Sequence, residues 1–411
     1  MKILLLFLAA AASALADDAT QIRQILTLVS RHQICPLSDG DYTPVTTAAG
    51  LKAARQPEGI QWIYPWGVML YGSLRSTDIT RDPDVLNFVQ THNRIAAADY
   101  DFLSREQSAI GPDALKGFRP ELFRLLQLGS LDNCGAMGTE MLDGMMRDPE
   151  HVTPGERRVV ERVADWIQHR QDRLPDGTFW RPHTNGGAEP WKPGTIWADD
   201  LYMSCPFLVH WAAYRGDPAA LDDAARQILQ MAARLQDRDG IWFHAYFVNE
   251  HRHSPIKWGR ANGWAVVSEV EVLSALPEND PLRAPLLAVL RRHLEGLKPL
   301  QAPDGLWRQV LDHPELWEET SCSAMFAYGF ARAANRGWID RSNLEIARQA
   351  FAGLETRITP EGIVNGTCAG TSIGIDLAFY RDRPRPSDDP HGPGVVLLAG
   401  SEILAAPAGT P

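Results

Sequence analysis

The chain has 411 residues, and its 51 Asp and Glu against 40 Lys and Arg give a formal net charge of −11. That surplus of acid argues against nucleic acid or any other broad polyanionic partner, while a small acidic ligand can still be held by a local Arg or His cluster. With 22% charged and 45% hydrophobic residues and no low-complexity tract, the composition excludes disordered and fibrous classes.

Residues 1–16 carry the features of a secretory signal: Lys2, an apolar run from Ile3 to Ala12, and Ala14-Leu15-Ala16 ahead of Asp17-Asp18. Export to the periplasm or medium is the expectation. No later stretch approaches the roughly eighteen apolar residues of a membrane span, so no membrane partner is expected. Helical periodicity then dominates, with candidate helices at 19–34, 62–76, 84–98, 120–128, 133–147, 155–169, 199–215, 219–236, 262–276, 281–297, 319–335, 341–356 and 393–405. Pro206 should kink or end the first turn of the 199–215 helix. Strand-like segments are short, chiefly Trp242–Val248 and Trp307–Leu311. The Pro-rich stretch 375–394 is expected to be an ordered loop at the site, leading into the last helix. No linker divides the chain, so residues 17–411 are expected to form one domain.

An acid-glycine pair recurs in this helical background at Asp176-Gly177, Asp239-Gly240, Asp304-Gly305 and Glu361-Gly362. Each pair is preceded by a helical segment and followed by an aromatic or aliphatic residue. A period of about sixty residues suits a helical hairpin with a long decorated loop. Six such units predict an all-α closed ring with every turn on one face, and hence a pocket lined by many loops. The five cysteines (Cys35, Cys134, Cys205, Cys322 and Cys368) are scattered without a CxxC pair. Most are therefore expected to be buried thiols, not zinc ligands or a disulfide framework, with Cys35 the candidate for any long-range bridge.

Three segments carry chemistry. Trp197-Ala198-Asp199-Asp200-Leu201-Tyr202-Met203 precedes an apolar helix, and Leu131-Asp132-Asn133-Cys134-Gly135 does the same. An Asp at a helix start is often only a cap. Asp199 and Asp132 together nevertheless put two carboxylates on one face, the minimum for acid–base work on a glycoside. Trp258-Gly259-Arg260-Ala261-Asn262-Gly263-Trp264 sets an Arg between aromatic walls, a pattern that recognises carboxylates and sugar rings. His183 and His244 each follow an Asp-Gly turn at equivalent repeat positions. Gly-x-Ser-x-Gly, His-Glu-x-x-His, phosphate-loop and Gly-x-Gly-x-x-Gly signatures are all missing, which disfavours serine hydrolases, zinc hydrolases and nucleotide enzymes.

Taken in order, these motifs resemble the unsaturated rhamnogalacturonyl and glucuronyl hydrolases of glycoside hydrolase family 105 and its relative family 88. The resemblance rests on Tyr64 near Gly67-Val68, Leu131-Asp132, Phe179-Trp180-x-x-His183, Trp197-x-Asp199-x-Leu201-x-Met203 and His244-Ala245-Tyr246. It continues through Trp258-x-Arg260-x-Asn262-Gly263-Trp264, Glu319-Thr320-Ser321 and Tyr380…Arg383-Pro384…Asp389-x-His391-Gly392, so it spans nearly all of the chain after the signal.

The resemblance implies an (α/α)6 barrel of six helical hairpins and a small oligosaccharide substrate with a non-reducing 4,5-unsaturated uronic acid. It implies no metal and no cofactor. Asp199 corresponds to the proton donor that also activates water, with a carboxyl whose pKa is raised by an apolar wall of Trp197 and Trp258. Asp132 corresponds to the second essential carboxylate. Arg260, His183 and His244 are implied to bind the uronate or sugar hydroxyls, Trp264 and Tyr64 to stack on the sugar, and His391 to contact it. Unsaturated rhamnogalacturonyl hydrolase is the leading reading. An unsaturated β-glucuronyl hydrolase, a conventional inverting glycosidase or polysaccharide lyase on the same barrel, and a non-catalytic carbohydrate-binding protein are the rivals. Nothing in the sequence specifies an oligomeric state.

Overall fold

The computed structural model describes residues 18–115, 124–182 and 194–405. Residues 18–32 form α1, followed by α2 (Ala48–Ala53), α3 (Tyr64–Thr80) and α4 (Pro83–Ile110). A helical fragment at 124–126 (α5) comes ahead of α6 (Gly135–Arg147) and α7 (Pro154–His169). Then come α8 (Asp199–Tyr202), α9 (Cys205–Arg215), α10 (Pro218–Leu235), α11 (Gly259–Ala275) and α12 (Arg283–Leu297). The chain finishes with α13 (Thr320–Asn335), α14 (Leu344–Glu355), α15 (Leu377–Arg381) and α16 (Pro393–Ala405).

Six of these helices, α3, α6, α9, α11, α13 and α16, form an inner ring in which each packs on the next and α16 returns to α3. The outer layer is α1, α4, α7, α10, α12 and α14, and α1 brings Leu26 to Gly400 of α16. The two layers differ in sequence for a physical reason. Outer helices need one apolar stripe: α7 starts with a Thr153–Glu156 capping box and buries Val159, Val160, Val163, Ala164 and Ile167 at helical spacing. Inner helices are covered on all sides, and α16 is buried from Pro393 to Ile403 without interruption.

The ring closes on a backbone contact. A Cβ on Gly72 of α3 would stand 2.1 Å from the Gly394 carbonyl oxygen of α16, and one on Gly394 would stand 2.1 Å from the Val68 carbonyl oxygen. Only glycine allows helices so near each other.

The acid-glycine turns all lie between an outer helix and the next inner one, and so gather at the N-terminal ends of the inner helices. Their glycines share a left-handed φ of 92° (Gly177), 91° (Gly240), 89° (Gly305) and 89° (Gly362). Asp176, Asp239 and Asp304 each accept the amide two residues on, at 3.1, 3.0 and 3.1 Å. In the fourth turn the Thr359 hydroxyl takes that part toward Ile363. The loops that follow carry two small antiparallel sheets. One joins β1 (Thr195–Trp197), β2 (Ala245–Phe247) and β3 (Arg252–His253); the other joins β4 (Trp307–Arg308) and β5 (Glu318–Glu319).

Several expectations change. The 199–215 helix is broken at Met203–Ser204, with Pro206 in the first turn of α9, where its missing N–H costs nothing. The 84–98 segment runs on to Ile110, because Phe102, Leu103 and Glu106 continue its buried stripe. The 120–128 segment lies mostly outside the described residues. Helices α2 and α15 are too short to show a period. All five cysteines are free thiols, Cys35 included. No helix among the described residues is long and apolar enough to cross a membrane.

The opposite end of the ring is closed by buried charge. Asp143 accepts from Arg147 at 2.8 Å and faces His210 Nε2 at 3.7 Å, while Arg332 donates to Glu402 at 2.7 Å and Tyr328 donates to Glu271. Burial pulls the His210 imidazole down, but Asp143 and Glu271 outweigh it and hold the group above its ordinary value. A raised folded-state value means that this stabilisation is complete below about 6.5 and is lost as pH rises through the folded value. The melting temperature should therefore fall more steeply between pH 7 and 9 in the wild type than in His210→Gln. At the ring seam, Gly72→Ala should lower stability by about 1–3 kcal/mol in denaturant unfolding. Gly144→Ala, whose new Cβ would meet nothing nearer than 3.5 Å, should be neutral or stabilising.

Candidate active site

The inner-helix N-termini carry the site, and strand pairing sets its first contact. Trp197 of β1 stands opposite Ala245 of β2, and the Ala198 amide donates to the His244 carbonyl at 3.0 Å. That register brings His244 Nε2 to 3.2 Å from Asp199 Oδ2, at the start of α8. The pair is within ion-pair reach but poorly aligned for a hydrogen bond, and neither buried atom has another partner. Buried polar atoms left this way cost about 1–3 kcal/mol each, so such a pair marks a place for a ligand or a shared proton.

Behind His244 stands Tyr380 of α15, a residue that the motifs included without a role. Its hydroxyl accepts the Gly374 amide at 2.9 Å and lies 2.7 Å from His244 Nδ1. A phenol that already accepts one N–H gives its own proton to Nδ1, which leaves the neutral imidazole with its N–H on Nε2, facing Asp199. Trp258 is buried beneath the His244 ring at 4.7 Å, and Trp197 meets it edge-on at 5.6 Å. These two indoles wall the His244 ring. The Asp199 carboxyl nevertheless departs from expectation. Burial pushes it up, but His244 and Arg181 more than offset that and hold it below the ordinary carboxylate value.

Asp132 lies in a short 3-10 turn, Leu131–Asn133, just before α6. Arg181 grips it with two bonds, Nη1 to Oδ2 at 3.1 Å and Nη2 to Oδ1 at 3.0 Å. The same guanidinium holds the fully buried Asp200, through Nη2 at 2.5 Å and Nε at 3.1 Å, and lies 4.3 Å over the Trp197 ring. Burial raises the Asp200 carboxyl against the pull of Arg181, because one cation is serving two carboxylates. The sequence reading missed Arg181, although it sits inside the Phe179-Trp180-x-x-His183 motif. Asp200 is the clamp's buried anchor.

Arg260 differs from the expectation of a ligand-facing guanidinium. It is buried on the first turn of α11, over the Trp258 ring at 4.7 Å, and donates to the carbonyls of Cys368 at 2.5 Å and Ala369 at 2.7 Å. Glu319 fixes the same segment by accepting the Cys368 amide at 2.8 Å, and Arg383 donates to the Gly370 carbonyl. Trp264 is likewise fully buried, 4.5 Å from Tyr202 and 6.5 Å from Tyr64, so it backs the site and has no face left for a sugar. Tyr64, the first residue of α3, is half-buried, with its hydroxyl 2.6 Å from His391 Nε2. His391 Nδ1 in turn lies 2.5 Å from Asp389 Oδ1. His183 lies outside the described residues.

This geometry can be set beside known proteins. The family model described as Glycosyl Hydrolase Family 88 matches residues 45–406, most of the chain and every motif above. The chain belongs to glycosyl hydrolase family 88. Proteins similar to it include Protein Atu3128 of Agrobacterium fabrum, 34% identical over 230 residues that cover 49% of this chain and 98% of that one. The unsaturated rhamnogalacturonyl hydrolase YesR of Bacillus subtilis is 27% identical over 244 residues, 59% of this chain and 69% of that one. Among solved structures, a possible GH105 family member from Salmonella enterica superposes with a TM-score of 0.71 at 23% identity, over 94% of both chains. The family 88 chain is thus a glycosidase on the helical barrel shared by families 88 and 105.

The clamp gives a stability test for this family 88 enzyme. Arg181→Gln leaves Asp200 buried without its counter-charge and should cost about 3–5 kcal/mol in denaturant unfolding. The double variant Arg181→Gln/Asp200→Asn should recover part of that loss, because the stranded charge is gone.

Proposed function

We propose that this enzyme removes the non-reducing 4,5-unsaturated uronic acid from lyase-generated oligosaccharides, with rhamnogalacturonan fragments as the leading substrates. We also read residues 1–16 as an export signal, which puts the reaction outside the cytoplasm. The observation that carries the reading is the buried Asp199–His244 pair, whose facing atoms lack other partners and which opens on the same face as an Arg181-held Asp132. The likeness to YesR supports the rhamnogalacturonyl preference.

In this reading Asp199 is ionised in the free enzyme, where His244 and Arg181 hold it low. A uronate carboxylate arriving beside Asp199 adds like charge, which raises Asp199 until it takes a proton from solvent, with the Nε2–H of His244 left in place beside it. Asp199 then protonates C4 of the enol ether, positive character develops at C5, and water adds there. The hemiketal opens and releases the neighbouring sugar. Asp132, oriented by Arg181, holds sugar hydroxyls. The chemistry uses proton transfers between groups of this chain and the substrate.

Loss of the conjugated double bond's ultraviolet absorbance, measured over a panel of lyase-generated oligosaccharides, is the direct test. The wild type should consume at least one member, and Asp199→Asn should be slower by on the order of 10²–10⁴-fold. Cleavage of a saturated glycoside with no panel member consumed overturns the reading. The like-charge argument also predicts a pH signature. The group that must be protonated should titrate higher in the kcat profile, which reports the enzyme–substrate complex, than in the kcat/KM profile, which reports the free enzyme.

A further inference from the structure

A second cleft adjoins the Asp132 clamp, and neither Asp199 nor His244 lines it. It has a volume of about 450 Å³ and is open to solvent. Trp166, Gln171, Asp172, Trp180 and Arg181 line it, with residues 129–131 along another side. That volume falls in the range of small-ligand pockets, roughly 300–1,000 Å³.

Two neighbouring outer-to-inner loops build the cleft. Trp166 stands on the last turn of α7, and its carbonyl accepts the Gln171 amide at 2.9 Å, which turns the chain back. Asp172 and Trp180 are tied across the Asp176-Gly177 turn. The Trp180 amide donates to the Asp172 carbonyl at 3.2 Å, and Gln171 Nε2 donates to the Trp180 carbonyl at 3.0 Å. These bonds use backbone groups and leave the indoles and the Asp172 carboxylate to the cleft. Both indoles are half-buried and so keep exposed ring surface there.

The charges of the cleft are one-sided. Arg181 is the one cation among the lining residues, and its N–H groups already serve Asp132 and Asp200. Asp172 is exposed, and no cation among the described residues pairs with its carboxylate. Two indole surfaces and an unpaired carboxylate suit a neutral sugar, because the rings cover its apolar face and the carboxylate accepts its hydroxyls. A carboxylated or sulfated sugar would meet Asp172 with nothing to neutralise its charge.

The position of the cleft names its occupant. Leu131 lines it directly before Asp132, and Arg181 grips Asp132 on one side while walling the cleft on the other. We propose that this cleft receives the sugar joined to the unsaturated uronate, the one that the reaction releases, and selects a neutral residue over an acidic or sulfated one. The proposal rests on the hydration reading given above and adds its substrate preference. Trp166 and Trp180 stack on the released sugar, and Asp172 accepts its hydroxyls and repels an anionic substituent.

The test compares two unsaturated disaccharides that differ only in the second sugar, rhamnose against sulfated rhamnose. The methyl glycoside of the unsaturated uronate, which has no second sugar, is the control, and each variant has a melting curve. The wild type should favour the neutral disaccharide in kcat/KM by about fivefold or more. Trp180→Ala should raise KM for that disaccharide by on the order of tenfold and leave the methyl glycoside unaffected. Asp172→Lys should cut the neutral preference by on the order of tenfold at low salt, and by less at high salt. A wild type that uses both disaccharides equally, or an Asp172→Lys with an unchanged preference, overturns the proposal. So does a Trp180→Ala that loses as much on the methyl glycoside, because the indole is then structural. If Trp180→Ala does not fold, Trp166→Ala, on a different element, is read by the same criterion. Failure of the hydration reading shows separately, as no loss of ultraviolet absorbance from any of the three compounds. The cleft is then judged by calorimetric titration of the two disaccharides into Asp199→Asn, where equal affinities reject it and a neutral preference upholds it.

Discussion

Closure of the inner ring is the constraint on which everything else depends. The six inner helices are buried along most of their length, so each is covered only when both of its ring neighbours are present, and the last contact is the glycine seam between α3 and α16. Once the ring is shut, the side walls are fully committed to packing and polar chemistry can reach solvent only at the two ends. One end is filled by ion pairs around Asp143, His210 and Arg332. The other end receives every loop that runs from an outer to an inner helix. The site is there because the outer-to-inner connections are long, whereas the inner-to-outer ones, such as Arg81–Asp82 between α3 and α4, are tight.

Two buried imidazoles stand at that end, and each gets its tautomer from the group behind it. Tyr380 and the Gly374 amide leave His244 with an N–H toward Asp199, while Asp389 leaves His391 with a lone pair toward Tyr64. Arg181 stands apart from both. By neutralising Asp132 and Asp200 together it lets three carboxylates share a small volume without forcing all of them to protonate. Arg260, Glu319 and Arg383 do a further job: they hold the 368–370 segment in place through its backbone.

Much of this was legible in the chain itself. The acid-glycine period carries the ring, because a left-handed glycine after an Asx-type turn is a local requirement that tertiary contacts cannot replace. Buried stripes on the outer helices and unbroken apolar runs on the inner ones carry the two layers. Asp199, His244 and Asp132 were readable because each sits at a helix start or just after a turn, where the side chain must face the loop end. The protein partners of Arg260 and Trp264 were not legible, for a reason that applies generally. An Arg beside tryptophans looks the same in sequence whether its partner is a ligand or a backbone carbonyl more than a hundred residues away, as with Cys368.

The sequence by itself determined the helical ring and the face on which the acid-glycine turns gather, and it marked Asp199 as a candidate on that face. Each of these is a short-range or periodic property that survives without knowing which segments meet. Only the tertiary structure decided the partnerships: Arg181 with Asp132 and Asp200, Tyr380 with His244, and Tyr64 with His391. These contacts join residues from 19 to 327 positions apart. Direction and protonation depend on such contacts, since a histidine is donor or acceptor according to what lies behind it, and the ring had to close before anything could.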